Sequence, residues 1–337
     1  MDYLLEALET MPVTEAAMCW GTLGTVRPFV NFRPERDARA LAAAMTNKDV
    51  NTLVRILTNR TNAQRQQVAQ VYRSLTNQEL VPGLKKVLSG GVQAVLLGLM
   101  MTPPVFDAHQ LRNAMEGLGT DEQTLAEILC TRSPEQLQLI TATYREEFQR
   151  SLEEDVRSET SQGFRDLLLA LLQKQRENIA GGIEYPLIQR DAKALVESVK
   201  PKSKPSPEPW IRTLTHRDAD HLNRVFDCFQ SLAGRSVEET VQAAFSGDLR
   251  LGLLILVRSI RNTPELLADT VHRALKGVGQ QSGPLLRVLV PRSEEDLLSV
   301  RVQFHRQHGR SLYSTLQEAV KGEYQHALLA LCGAEDI

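Results

Sequence analysis

Aromatic residues are scarce, 5% of the 337-residue chain, and no stretch alternates apolar and polar residues for long, so strand signals are weak. Long apolar runs are missing too. The longest, such as residues 94–101, fall far short of the roughly 20 residues that a membrane-spanning helix needs. Charge of one sign is not in excess: 39 Lys and Arg stand against 41 Asp and Glu, a formal net charge of −2. That balance excludes the basic surplus expected of a chain whose main partner is nucleic acid. The four cysteines, Cys19, Cys130, Cys228 and Cys332, are scattered without close pairs, which argues against a metal cage or disulfide framework and favours a reduced, cytoplasmic setting. The opening MDYLLEALE places Asp2 and Glu6 where a secretory signal carries basic residues. With 42% hydrophobic and 24% charged residues, the composition that remains is globular, not disordered.

What the sequence does contain is a repeat. Four segments read Leu57-Thr-Asn-Arg60, Leu129-Cys-Thr-Arg132, Leu214-Thr-His-Arg217 and Leu289-Val-Pro-Arg292. Twelve residues after each arginine stands an aromatic: Tyr72, Tyr144, Phe229 and Phe304. Thirty-nine residues after each stands a leucine closing an apolar run: Leu99, Leu171, Leu256 and Leu331. Three markers holding their offsets four times define four copies of one unit of about 70 residues. Within a copy, Ala40, Leu41 and Ala44, then Leu53, Ile56 and Leu57, follow amphipathic helical spacing. Breakers at Thr46-Asn47, Thr61-Asn62, Thr76-Asn77 and Ser89-Gly90 leave room for four or five short helices per copy. The expected fold is all-α. Lys200 to Pro209, with four prolines, reads as an extended exposed loop. The arginines read as structural groups that bond carbonyls near a helix C-terminus.

Chemistry concentrates in Met115-Glu-Gly-Leu-Gly-Thr-Asp-Glu122 of the second copy. Gly117 and Gly119 permit a tight loop whose carbonyls face outward together, and Thr120 is a candidate cap for the next helix with Gln123 as its capping-box partner. Calcium takes six to eight oxygens, often carbonyls with a carboxylate, and Glu159 supplies one if the unit folds back on itself. The plain alternatives are a turn between helices and, for Glu159, a solvated acid or helix cap. No Ser/His/Asp or Cys/His set stands out, and His305 and His308 lack a third zinc ligand, so no enzyme activity is expected.

These motifs, with Ser311-Leu-Tyr313 and the ending Ala327-Leu-Leu-Ala-Leu-Cys-Gly333, resemble an annexin over roughly residues 28–337. The resemblance is nearest the annexin two and annexin nine branch, by Gly21-Thr-Leu-Gly-Thr-Val26 and the C-terminal sequence. It implies a curved disk of four five-helix repeats at 28–104, 105–180, 181–262 and 263–337 after a tail at 1–27. It also implies peripheral, calcium-dependent binding to acidic phospholipids such as phosphatidylserine. The family's site needs the Met-x-Gly-x-Gly-Thr loop and an acid 44 residues after the Met. In the second repeat Met115, Gly117, Gly119 and Glu159 satisfy it. The first repeat lacks the glycines, is two residues shorter and has Val87 at the acid position. The third has the proline-rich segment and Ala244, and the fourth keeps Leu275, Gly277 and Gly279 as a weaker set but has Ala319. A weakened calcium response is therefore expected. The alternative is a calcium-independent scaffold acting through protein contacts of the helical core and tail.

Two further surfaces are candidates. Lys200, Lys202 and Lys204, in the place of the third loop, are either a solvated loop or a calcium-independent contact with anionic lipid. Leu4, Leu5, Leu8 and Met11 have helical spacing in the tail. They either bind a partner's apolar groove, which the resemblance identifies as an S100-type dimer, or pack on the chain's own core.

Overall fold

The computed structural model describes residues 23–117, 119–173, 184–200, 204–276 and 282–334. The described residues are 79% helical and contain no strand. In the first repeat the helices are α1 (Pro34–Asn47), α2 (Val50–Thr58), α3 (Asn62–Thr76), α4 (Leu80–Val87) and α5 (Gly90–Met100). The second holds α6 (Pro103–Met115), α7 (Glu122–Thr131), α8 (Pro134–Phe148), α9 (Leu152–Glu159) and α10 (Gln162–Leu172). The third opens with α11 (Tyr185–Glu197), α12 (Glu208–His216), α13 (Ala219–Ala233) and α14 (Val237–Ala244). In α15 (Gly247–Lys276), non-helical Asn262 (φ −164°, ψ 91°) separates the last helix of the third repeat from the first helix of the fourth. Then follow α16 (Ser282–Arg292), α17 (Leu297–His308), α18 (Leu312–Ala319) and α19 (Gly322–Cys332). Each repeat thus has five helices.

Local sequence explains the boundaries. Thr61 with Gln64 and Ser133 with Gln136 close capping boxes at the starts of α3 and α8, each satisfying two otherwise unpaired backbone donors. The third helix of every repeat ends on a left-handed residue: Asn77, Gln149, Gly234 or Gly309. That stop directs the chain into a fourth helix of eight residues in all four copies. The proline-rich segment is less extended than its composition implies. Helix α12 already begins at Glu208, with Pro209 in its first turn, where the missing N–H of proline breaks no helical hydrogen bond.

The chain forms two compact units, one of Met1–Pro103 with Leu267–Ile337 and one of Pro104–Leu266. In the first unit α19 lies against α2 and α5. The segment before α1 is bound to the fourth repeat: the Val26 N–H donates to Ser293 O at 2.8 Å, and the Leu298 N–H donates to Leu23 O at 2.8 Å. Arg65 is 2% exposed. It donates to Leu99 O (2.7 Å), Leu57 O (3.1 Å), Arg60 O and Glu294 Oε1 (2.6 Å). In the second unit Phe164, Trp210, Phe226 and Phe229 are fully buried, each such side chain contributing on the order of 2–3 kcal/mol by leaving water. Gly252 permits close packing of α15 on α10, since a Cβ there would sit 2.8 Å from Leu167 and 2.9 Å from Phe164.

The repeated arginines pair chiefly with carboxylates, a correction to the carbonyl expectation. Arg60 meets Asp37 at 2.6 and 3.0 Å, Arg132 meets Asp107 at 2.6 and 3.0 Å, and Arg217 meets Asp191 at 2.9 Å. Each aspartate lies in the first helix of its repeat, so the pair ties the first helix to the end of the second. In the fourth repeat the equivalent position is Leu267, buried at 4%. Arg292 there turns to Asp296 instead, at 2.6 and 2.5 Å.

Candidate metal site in the second repeat

The loop between the first two helices closes on a shared anchor. In the first repeat the Asp49 N–H donates to Ala44 O at 2.8 Å; in the second, Asp121 N–H donates to Ala114 O at 2.8 Å; in the third, Ser206 N–H donates to Ser198 O at 3.0 Å. The closed loops therefore span different lengths on one frame. The short first-repeat loop needs only Lys48 in the left-handed region (φ 54°). The longer second-repeat loop places Gly117 at φ 107° and Gly119 at φ 91°, backbone that side chains disfavour. A Cβ at either position would meet no atom within 4 Å, so these glycines answer to backbone conformation and not to crowding.

Helix capping here differs from expectation. Asp121 is the N-cap of α7, accepting from Thr124 N at 3.0 Å and from Thr124 Oγ1 at 2.5 Å. Gln123 instead donates to Glu127 at 2.7 Å. The Thr120 hydroxyl, not needed as a cap, donates to Glu159 O at 3.0 Å. That bond brings the loop against the last residue of α9, 39 positions away. Glu159 is exposed and pairs with no cation among the described residues; Ser158 Oγ lies 3.4 Å from its Oε1. Val87, Ala244 and Ala319 end α4, α14 and α18 as Glu159 ends α9, so the four positions are structurally equivalent.

Beneath the loop sits an ionic cluster that the sequence motif does not reveal. Tyr144 Oη donates to Asp155 Oδ2 at 2.6 Å, Arg150 grips the same carboxylate at 2.5–3.0 Å, and Arg112 Nη1 reaches it at 3.4 Å. Arg112 Nη2 lies 3.4 Å from Glu116 Oε1, inside the loop. The hydrogen bond from Arg150 holds the Asp155 carboxyl below its usual range, with Tyr144 adding to it and burial opposing. Burial, then the bond to Asp155, pushes the Tyr144 phenol up to about 12. In sequence the signal was only Asp155 four residues ahead of Glu159, with Arg112 three ahead of Met115.

The donor set suits a hard dication: backbone oxygens and one free carboxylate. Among the described residues no three His, Cys, Asp or Glu side chains gather as a metal-binding group, so any ion at this loop depends on main-chain carbonyls. The other candidates are placed unevenly. Leu275 is half-buried near the end of α15, while Gly277 and Gly279 lie outside the described residues. Lys204 is exposed and Lys200 forms an ion pair with Glu197; Lys202 lies outside the described residues. Leu4, Leu5, Leu8 and Met11 also lie outside them. No described helix is long and apolar enough to cross a membrane.

Repeated five-helix units with this loop and anchor are those of a known class. The annexin family model matches residues 36–99, 106–171, 190–256 and 267–331, and the chain belongs to the annexin family. Annexins generally bind acidic phospholipid membranes in a calcium-dependent way and are generally not enzymes. Among relatives, the chain is 41% identical to human Annexin A9 over 334 residues, 98% of this chain and 96% of that protein. Among solved structures it is similar to annexin III, with a TM-score of 0.90 and 36% identity, covering 93% of this chain and 98% of that one. It is also similar to calcium-bound annexin (Sm)1, with a TM-score of 0.80 and 28% identity, covering 92% of this chain and 93% of that one.

Proposed function

We propose that this annexin is a cytoplasmic, peripheral membrane protein whose calcium response is weak because it rests on one site, in the second repeat. The observation that carries the reading is the hydrogen bond from the Thr120 hydroxyl to the Glu159 main-chain carbonyl, which holds the residue bearing the carboxylate against the glycine loop. Carbonyls of Met115, Gly117 and Gly119 with the Glu159 carboxylate would hold calcium. The bound ion supplies a positive charge that a lipid phosphate can complete. In the other repeats Val87, Ala244 and Ala319 offer no carboxylate, and carbonyls alone hold a hard dication poorly. A single site also forgoes the multivalent gain of four. Exposed Lys204 and the pair-bound Lys200, with Lys202, are a weaker lipid contact, each lysine adding at most about 1 kcal/mol near an anionic surface.

Co-sedimentation with phosphatidylserine vesicles across a calcium titration, with a chelator control, tests both contacts. Glu159→Gln should remove most calcium-dependent binding, and retained binding would place the site elsewhere. A triple Lys→Glu change at 200, 202 and 204 should lower only the binding that survives chelator.

A second reading, a calcium-independent scaffold, draws on the three apolar residues at the acid positions and on the amphipathic spacing of the tail. An S100-type dimer is the partner this reading names. Pull-down should fail for a Leu5→Glu, Leu8→Glu double variant, and equal capture would remove the tail from the account.

A further inference from the structure

The guanidinium of Arg112 lies beside the Tyr144 phenol of α8 and reaches two further elements. One nitrogen lies 3.4 Å from Glu116 in the glycine loop and the other 3.4 Å from Asp155, one turn before Glu159 on α9. Asp155 is itself immobilised by Tyr144 and Arg150. We infer that Arg112, seated on Asp155, is a positioning residue for calcium: it sets the spacing between the loop carbonyls and the Glu159 carboxylate. The inference rests on the second-repeat calcium reading above.

The distribution of the cluster supports a site role over a scaffold role. The scaffold pair of arginine with a first-helix aspartate occurs in three repeats. The Arg112–Asp155 link occurs in one, the repeat that has the acid. At the Arg112 position the other repeats have Ala42, Val196 and His272, and at the Asp155 position they have Gly83, Thr240 and Thr315. Each replacement has its own local arrangement. Thr240 and Thr315 bond back to Ser236 O and Ser311 O at 2.8 Å. His272 stacks on His308 with centroids 3.5 Å apart. A helix end therefore packs without the link, and the buried Asp155 carboxylate keeps Arg150 and Tyr144 as partners when the quarter-exposed Arg112 is changed. A chelate is more demanding: its donors must sit within a few tenths of an ångström of their places, and groups that orient ligands typically change metal affinity 10–100-fold.

The test uses the full chain, phosphatidylserine vesicles and calcium alone, comparing wild type, Arg112→Gln, Arg112→Lys and Glu159→Gln. Arg112→Gln should raise the calcium concentration at half-maximal co-sedimentation about tenfold. Arg112→Lys, which keeps a cation, should recover part of that shift. Melting temperature without calcium should stay within about 2 °C of wild type, and binding in chelator should not change. An unaltered midpoint in Arg112→Gln, beside a lost response in Glu159→Gln, overturns the positioning role and leaves the site standing. No calcium response in wild type overturns the site and the positioning role together.

Discussion

The first and second repeats share five helices, a buried Arg–Asp pair and the same loop anchor, yet of these two only the second carries the glycine loop and the acid at Glu159. Between Met45 and Asp49 stand three residues; between Met115 and Asp121 stand five. Both aspartates cap the next helix through a threonine N–H, Asp49 at 3.1 Å and Asp121 at 3.0 Å. The two extra residues therefore leave the frame undisturbed and lengthen only the loop held above it. The first repeat keeps its five helices without the glycine loop or the acid, because the groups that hold its helices together lie outside that loop.

The largest effect should come from what the two repeats share. Asp37→Ala and Asp107→Ala each strand a buried guanidinium and should cost about 3–5 kcal/mol in urea unfolding. If either costs much less, the pair is not the common frame. A smaller gain should follow from transplanting what they do not share. Replacing residues 46–48 with Glu-Gly-Leu-Gly-Thr and adding Val87→Glu should create a second site and lower the calcium midpoint on vesicles roughly tenfold. Val87→Glu alone should leave it unchanged, and a graft without effect would mean that loop and acid are insufficient.

The smallest contrast separates two tyrosines. Tyr144 donates to Asp155, so Tyr144→Phe should cost about 1 kcal/mol. Tyr72 faces Gly83, and Tyr72→Phe should stay within about 0.5 kcal/mol. The Tyr144 phenol is raised from 10.0 to about 12. Its stabilisation is therefore fully present below pH 10 and is lost as pH rises through 12. Burial pushes the Tyr324 phenol up to about 12 as well, so ultraviolet titration should show both late-ionising phenols in wild type and in Tyr72→Phe, and one fewer in Tyr144→Phe. Equal curves for the two variants would erase the distinction between the repeats.

Much of the fold was legible in the chain. Breakers at Thr46-Asn47, Thr61-Asn62, Thr76-Asn77 and Ser89-Gly90 mark real helix limits, because caps and left-handed stops are local chemistry. The proline-rich segment reads as loop throughout, yet α12 begins inside it, because proline opposes a helix interior and not its first turn. Within the loop, Thr120 and Asp121 compete for the cap. Sequence spacing favours Thr120, and the structure gives the cap to Asp121 and Thr120 to Glu159.

By itself the sequence determined the four-fold repeat, the helical class and the absence of a carboxylate at Val87, Ala244 and Ala319. Those features are periodicity and residue identity, which need no coordinates. Only the tertiary structure decided that each repeated arginine takes a carboxylate, that Arg292 turns to Asp296 where Leu267 removes the usual partner, and that Glu159 meets the loop through Thr120. Those are contacts between residues far apart in the chain, and their partners depend on which helix ends the packed core brings within hydrogen-bond reach.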